Sequence, residues 1–179
     1  MSSGLEGDWD KIANILNPAR MKAKLTVAAK KVGAYGASAV KKGIVSGAPG
    51  GKKFVPLSPM TIANKGSSSP LIDKGDLVGS VTYATPNENT VFIGVRKSAK
   101  SKDGGALANV AAVHEFGCTI RVTPKMRAYL HYQGIHLKSS TQYISVPPRP
   151  YLRPTLDDPE FREKIAEIYA KAIKEAFMP

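Results

Sequence analysis

Residues 18–45 restrict the possible folds of this chain more than any other stretch, because they predict one long amphipathic helix. Asn17 followed by Pro18 is typical of a helix start, with asparagine as the N-cap and proline in the first turn. Apolar side chains then recur at spacings of three and four residues, which places them on one narrow stripe. The stripe comprises Met21, Leu25, Ala28, Val32, Tyr35 and Ala39. The glycines and proline of residues 47–51 end the helix near Val45.

The same region carries most of an uneven charge. The whole chain has a formal net charge of +12, and residues 11–72 contain eleven Lys or Arg and no Asp or Glu. Such a stretch is either a solvated basic face or a surface close to nucleic acid. The predominance of lysine favours a sequence-independent field over base readout. Four lysines of the predicted helix are candidate DNA-facing residues: Lys30, Lys31, Lys41 and Lys42.

The rest of the chain alternates short strands and helices. Residues 80–83 and 90–95 predict a hairpin, and residues 120–122 and 143–146 predict two further strands. Short helices are predicted at 59–64, 106–116 and within 125–132, and a final helix begins at Pro159 behind an Asp cap. The inward stripe of that helix is Phe161, Ile165, Ile168, Ala172 and Ala176. The predicted fold class is α+β, with a small antiparallel or mixed sheet of about four strands packed against a long N-terminal helix and a C-terminal helix.

Two segments are predicted to lie outside this packed unit. Residues 1–17 form an N-terminal arm in which Trp9, Ile12 and Leu16 share one helical face. Residues 18–179 form a single domain, from which a basic, glycine-ended loop at about 96–105 projects as a flexible surface loop. Near the end of the domain, three closely spaced prolines predict an extended path: Pro148, Pro150 and Pro154.

No residue pattern typical of catalysis, cofactor binding or metal binding occurs in the chain. His114 and Glu115 do not begin a zinc-binding HExxH motif, because Cys118 stands where the second histidine would be. His131 and His136 are five residues apart, which is the wrong spacing for one helical face. No apolar run approaches the roughly 20 residues needed to cross a bilayer. We therefore predict neither an enzyme nor a membrane protein, with no cofactor and no metal.

Three further residues are candidates for contacts that fix the assembled protein. Arg149 is held between Pro148 and Pro150, so its guanidinium is either solvated or bound to a carboxylate within the chain or across an interface. Tyr151 is expected to anchor the segment onto the sheet. His114 lies at a helix end, where it either forms a local hydrogen bond or faces a neighbouring subunit.

Five motifs follow one another in the second part of the chain. They are Phe54-Val55-Pro56-Leu57-Ser58-Pro59-x-Thr61, Leu71-x5-Leu77-x2-Ser80, Val91-x-Ile93-Gly94, Val113-His114-Glu115-Phe116-Gly117 and Pro147-x-Arg149-Pro150-Tyr151-Leu152. In this order they resemble the motifs of the virion morphogenesis, or tail-completion, proteins of tailed bacteriophages. The resemblance covers roughly residues 52–177, with Phe54, Lys74-Gly75-Asp76, Pro148 and Tyr151 as departures from the usual pattern.

This resemblance implies a non-enzymatic structural protein of the virion neck, assembled in the host cytoplasm. Six copies are expected in a ring at the head–tail junction, between the head connector or adaptor and the tail terminator or tail tube, with double-stranded DNA passing through non-specifically. Interface residues are expected at Trp9, Ile12, Leu16, His114, Arg149 and Tyr151. Two alternatives stay open: a tail terminator ring that caps the tail tube, and a sequence-independent nucleic-acid binding protein.

Overall fold

The computed structural model describes Asp8, residues 17–87 and residues 89–178. In chain order, its helices and strands are α1 (Pro18–Ser46), a 3₁₀ turn (Pro49–Gly51), α2 (Pro59–Lys65), α3 (Asp76–Ser80), β1 (Val81–Asn87), β2 (Thr90–Val95), α4 (Leu107–Phe116), β3 (Cys118–Arg121), α5 (Pro124–Tyr132), β4 (Tyr143–Val146), α6 (Leu152–Asp157) and α7 (Pro159–Phe177). The arm residues predicted to lie at an interface, Trp9, Ile12 and Leu16, are outside the described residues.

Helix α1 is the central element, and its ends follow the local sequence. The Asn17 side chain accepts hydrogen bonds from the backbone N–H groups of Ala19 and Arg20, which satisfies donors that a helix start leaves free. Gly47 adopts the left-handed conformation just after the last turn, and its N–H donates a hydrogen bond to the carbonyl of Ile44. Both predicted ends of α1 are confirmed, to within one residue.

Two glycines in the middle of α1 bring the β1–β2 hairpin against the helix. A Cβ atom on Gly33 would collide with the ring of Tyr83, and one on Gly36 would collide with the side chain of Ile93. Tyr83 and Ile93 are directly paired across the antiparallel strands. The absence of two side chains from α1 therefore forms a notch that receives one cross-strand pair of the hairpin.

The hydrophobic core lies between α1, the hairpin and the C-terminal part of the chain. Its fully buried side chains include Val40, Ile44, Val81 and Tyr151. Helix α7 lies along α1 from Lys24, which pairs with Glu175, to Tyr35, whose ring stacks on that of Phe161 at 5.4 Å. Helix α1 thus packs against both α7 and the hairpin, which gives a layered α+β arrangement of helices and strands.

The second sheet, β3–β4, stands apart from this core. Its strands pair antiparallel from Cys118 opposite Val146 to Arg121 opposite Tyr143. In the described part of the chain, β3 and β4 pack mainly on each other, and α5 connects them without an extensive contact with any other helix or strand. Residues 118–146 therefore form an excursion from the main body, and we refer to them below as the excursion.

The α+β class and the long N-terminal helix are confirmed. Four antiparallel strands occur among the described residues, but they form two separate pairs instead of one sheet, because β3–β4 lies in the excursion. The predicted stripe of α1 is wrong in its second half. There the buried residues are instead Gly36, Ala37, Val40 and Ile44, because the hairpin packs where the glycines leave room for its side chains.

One other local expectation differs from the structure. The path through Pro154 is helical instead of extended, because Pro154 sits in the first turn of α6, where its missing N–H costs no hydrogen bond. The loop at 96–105 makes two contacts with the segment at the start of α3: Lys74 forms an ion pair of 2.7 Å with Asp103, and Asp76 accepts a hydrogen bond from the backbone of Lys102. The flexibility of this loop stays a prediction. Among the described helices, none is both long and apolar enough to cross a membrane.

Candidate functional site

Glu115 organises the junction between the end of α4 and the start of α6. Its carboxylate is almost fully buried and accepts three backbone hydrogen bonds: from Tyr151 at 2.8 Å, from Leu152 at 3.0 Å and from Arg153 at 3.0 Å. The next residue, Pro154, has no N–H to donate. One carboxylate therefore satisfies every free donor in the first turn of α6, and its negative charge lies at the positive end of that helix.

Arg149 locks the same junction to a third part of the chain. Its Nε donates to the carbonyl of Val55 at 2.7 Å, and its Nη2 donates to the carbonyl of Pro56 at 2.9 Å. Its backbone N–H donates to the carbonyl of His114 at 2.6 Å. The side chain is buried, so the expectation of solvation is wrong, and no carboxylate among the described residues pairs with it. A contact with a carboxylate across an interface stays a prediction. The guanidinium acts as a clamp on the backbone of the segment before α2.

Tyr151 fills the centre of this junction. It is 0 % exposed, and its hydroxyl has no hydrogen-bond partner among the described residues. Burial, reinforced by the negative charge of Glu115, raises the pKa of the Tyr151 phenol far above its ordinary value. The expectation that Tyr151 anchors its segment is met, although it packs into the main core and not onto a separate sheet. A side chain so placed is not available at a surface.

His114 lies beside the clamp, at the inner wall of a cleft of about 770 Å³. Its Nδ1 atom is buried and has no hydrogen-bond partner among the described residues. Burial lowers the pKa of His114, and the positive charges of Arg149 and Lys65 lower it further. The imidazole is thus held neutral by its surroundings.

The backbone turn that follows Glu115 also belongs to the junction. Gly117 has a φ of 74°, and a Cβ atom there would lie 3.0 Å from both the ring of Pro148 and the carbonyl of Val146. Glycine is therefore needed both for the backbone conformation and for the close approach of the 146–148 segment. The excursion begins just after Gly117 and ends at Val146, and the close approach of Gly117 to residues 146–148 holds its two ends together.

Two of the three acidic side chains that line the 770 Å³ cleft contact the 96–105 segment or belong to it. Asp103 pairs with Lys74, and Asp76 accepts from the backbone of Lys102. The ion pair with Lys74 lowers the pKa of Asp103. Across the described residues, no group of three metal-ligating side chains gathers closely enough to hold an ion. These polar contacts in the cleft hold the 96–105 segment against the residues at the start of α3.

The four candidate lysines share the outer face of α1. At about 100° per residue, Lys30 and Lys41 form one row and Lys31 and Lys42 a second row, on the side opposite the buried face. Within each row the two lysines are eleven residues apart, or roughly 16 Å along the helix axis. None of the four forms an ion pair with a described residue, and α1 itself contains no acid. We call this surface the lysine face.

The candidate residues predicted from the sequence thus lie in separate parts of the molecule. His114, Arg149 and Tyr151 meet in the junction, the lysine face lies on α1, and Trp9, Ile12 and Leu16 lie outside the described residues. The central residue of the junction, Glu115, was missed as a cap. Its only sequence signal was indirect, since the N-cap residue of α6, Tyr151, does not cap the helix with its own side chain.

No family model, no characterised protein and no solved structure matches this chain.

Proposed function

We propose that this chain is a structural protein of a tailed-bacteriophage neck. In this proposal, copies of it form a ring at the head–tail junction, which completes the tail and joins it to the head connector. The genome passes through the lumen of the ring. The protein works by shape and charge, and no chemical step is assigned to it.

The observation that carries the proposal is the convergence of the five motifs on which the resemblance depends. Three of them meet in the junction: Arg149 clamps the first motif at Val55 and Pro56, and Glu115 of the fourth motif caps the helix that follows the fifth. The other two contribute Leu77 and Ile93 to the same core. Motifs spread over about a hundred residues thus serve one rigid body, which is what a scaffold protein requires.

The lysine face supports the passage of DNA. A row of unpaired ammonium groups attracts the phosphate backbone regardless of sequence and binds it loosely. Because α1 packs its opposite side against the core, the lysine face is free to line a lumen. An orientation with α1 inward also leaves the excursion for contacts with neighbours.

Exposed aromatic side chains on and beside the excursion support assembly. Phe116 is 75 % exposed, Tyr132 is 85 % exposed and Tyr143 is 60 % exposed. Large exposed aromatic side chains on a projecting element are typical of a surface that binds another protein. In a ring, the surface that the excursion contacts on the next copy differs from the excursion itself, so the interface is heterologous and closes by rotation.

Light scattering of the full-length protein, alone and mixed with the head connector of the same phage, tests the proposal. We expect a closed oligomer, with about six copies, that forms alone or on contact with the connector. A triple variant, Phe116→Ser, Tyr132→Ser and Tyr143→Ser, should remain monomeric while keeping its thermal unfolding midpoint. A wild-type chain that stays monomeric and does not bind the connector would contradict the proposal.

Two other functions give different outcomes in the same measurement. The lysine face also fits a sequence-independent nucleic-acid binding protein, which would be a permanent monomer or dimer with tight, salt-sensitive duplex binding. A tail terminator would form a ring as well, but one that binds the tail tube protein and not the head connector.

A further inference from the structure

We infer that the groove between α1 and α7 is the docking site of the N-terminal arm of the same chain. Within the arm, the structure describes Asp8 and Asn17. The groove has a volume of about 460 Å³ and lies beside the first half of α1. It shares Lys31 with the lysine face, but the inference does not rest on the proposed neck function.

The floor of the groove is apolar and is open to an apolar partner. Val27 of α1 is 50 % exposed, although it lies beside Ala28, which is buried. Ile168 and Ala172 of α7 complete the floor from the other side. An exposed valine above a helix–helix seam is unfavourable in water, and covering it with an aromatic or aliphatic side chain would be stabilising.

The rim of the groove carries a surplus of positive charge. Two lysines and two glutamates neutralise each other, since Lys24 pairs with Glu175 at 3.3 Å and Lys164 pairs with Glu167 at 2.6 Å. The two remaining lysines of the rim form no ion pair with a described residue: Lys31 and Lys171. The groove therefore favours an apolar segment that carries negative charge.

The arm has this composition. Its ionisable side chains are three acids and one lysine, a net charge of −2: Glu6, Asp8, Asp10 and Lys11. Trp9, Ile12 and Leu16 fall on one face if the arm is helical. The arm thus offers one apolar edge for the floor of the groove and an acidic edge for its rim.

The length of the arm allows this contact within one molecule. The arm joins α1 at Asn17, and the groove runs from Ala23 to Lys31, about 9 to 21 Å farther along the helix axis. Trp9 lies eight residues before Asn17, a reach of about 12 Å as a helix and about 27 Å as an extended chain. If the chain turns back at the N-cap, Trp9 reaches the nearer half of the groove as a helix and any part of it as an extended chain.

Trp9 is also a built-in reporter, because it is the only tryptophan of the chain. We expect its fluorescence in the full-length protein to be blue-shifted and protected from acrylamide, compared with the same protein in denaturant. The substitution Val27→Asp places a negative charge on the floor of the groove and should return the emission to that of a solvated indole. Val45→Asp, at a 64 % exposed position on the same face of α1 but outside the groove, is the matched control and should leave the shift in place.

Three results would overturn the inference. A solvent-like emission of the wild type would show that the arm is not docked, and a shift that survives in Val27→Asp would place Trp9 elsewhere. A shift that disappears on dilution would assign the contact to a second molecule. Circular dichroism of both variants confirms that α1 is intact, so that a loss of the shift in Val27→Asp alone reports on the groove.

Discussion

At the residue scale, the junction depends on two buried charges, and neither forms an ion pair with a described residue. Glu115 is satisfied by three N–H donors and Arg149 by two carbonyl acceptors, so each charge is held by backbone dipoles. Burying a charge is unfavourable unless such hydrogen bonds replace its hydration. Removal of either side chain leaves buried backbone groups without partners, which is why single substitutions here should be costly.

Glu115→Ala should lower the free energy of unfolding by about 3 kcal/mol, because three buried donors lose a charged acceptor. Glu115→Gln keeps one oxygen acceptor and should lose less. Urea denaturation followed by circular dichroism measures both values. The control is Glu163→Ala, at an exposed position on α7, which should change the free energy by less than about 0.5 kcal/mol. Equal effects of Glu115→Ala and the control would contradict the capping role.

His114 should make stability depend on pH. Burial and nearby cations hold its folded-state pKa below the ordinary value of 6.5, so the unfolded chain binds a proton more readily than the folded chain. The contribution of His114 is fully present above the unfolded pKa and is lost as pH falls towards the folded pKa. The thermal unfolding midpoint of the wild type should therefore decrease as the pH is lowered from about 7.5 to about 5.5. His114→Gln should flatten this decline, and an unchanged slope in the variant would contradict the assignment.

At the element scale, the sequence predicted α1 and α7 well because their signals are local. Asn17 with Pro18, and Asp158 with Pro159, fix the two helix starts through bonds within three residues. The junction could not be predicted in the same way, since Glu115 meets its partners 36 to 38 residues later. The register of the hairpin on α1 could not be predicted for a related reason, because nothing in the local sequence identifies Tyr83 as the partner of Gly33.

The notch on α1 leads to an unusual expectation for glycine substitutions. In a helix, Gly→Ala ordinarily stabilises by about 1 kcal/mol. Gly33→Ala and Gly36→Ala should instead destabilise, by about 1 to 3 kcal/mol, because the new methyl group overlaps Tyr83 or Ile93. Gly79→Ala in α3, where no atom lies within 4 Å of the added Cβ, should be neutral or stabilising. Thermal unfolding of the three variants tests the notch, and a gain in stability at Gly33 would contradict it.

The lysine face should account for a definable part of any affinity for duplex DNA. A variant with glutamine at all four positions of this face should reduce the slope of log affinity against log salt by up to about 3.6, or about 0.9 for each phosphate contact. Fluorescence anisotropy with a labelled duplex at several salt concentrations gives this slope. A control variant removes the same charge elsewhere on the exposed surface, at Lys97, Lys100, Lys125 and Lys138. Equal slopes for the two variants would show that the attraction is general and not due to the lysine face.

At the scale of the whole molecule, the described parts of the chain have distinct tasks in the proposed ring. The main body, built from α1, the hairpin, the junction and α7, supplies rigidity. The excursion projects from Gly117 with exposed aromatic side chains and reaches towards a neighbour. The α+β class was predictable from the sequence, but the separation of its four strands into two pairs was not, because periodicity does not reveal which strands pair.

The most direct test of the central claim is a cryo-electron microscopy reconstruction of the phage particle. We predict a closed ring of this chain at the junction of head and tail, in which α1 faces the central channel and its four candidate lysines lie within about 10 Å, one Debye length, of the DNA. A reconstruction in which the chain is absent from the neck, or touches no copy of itself there, would contradict the account.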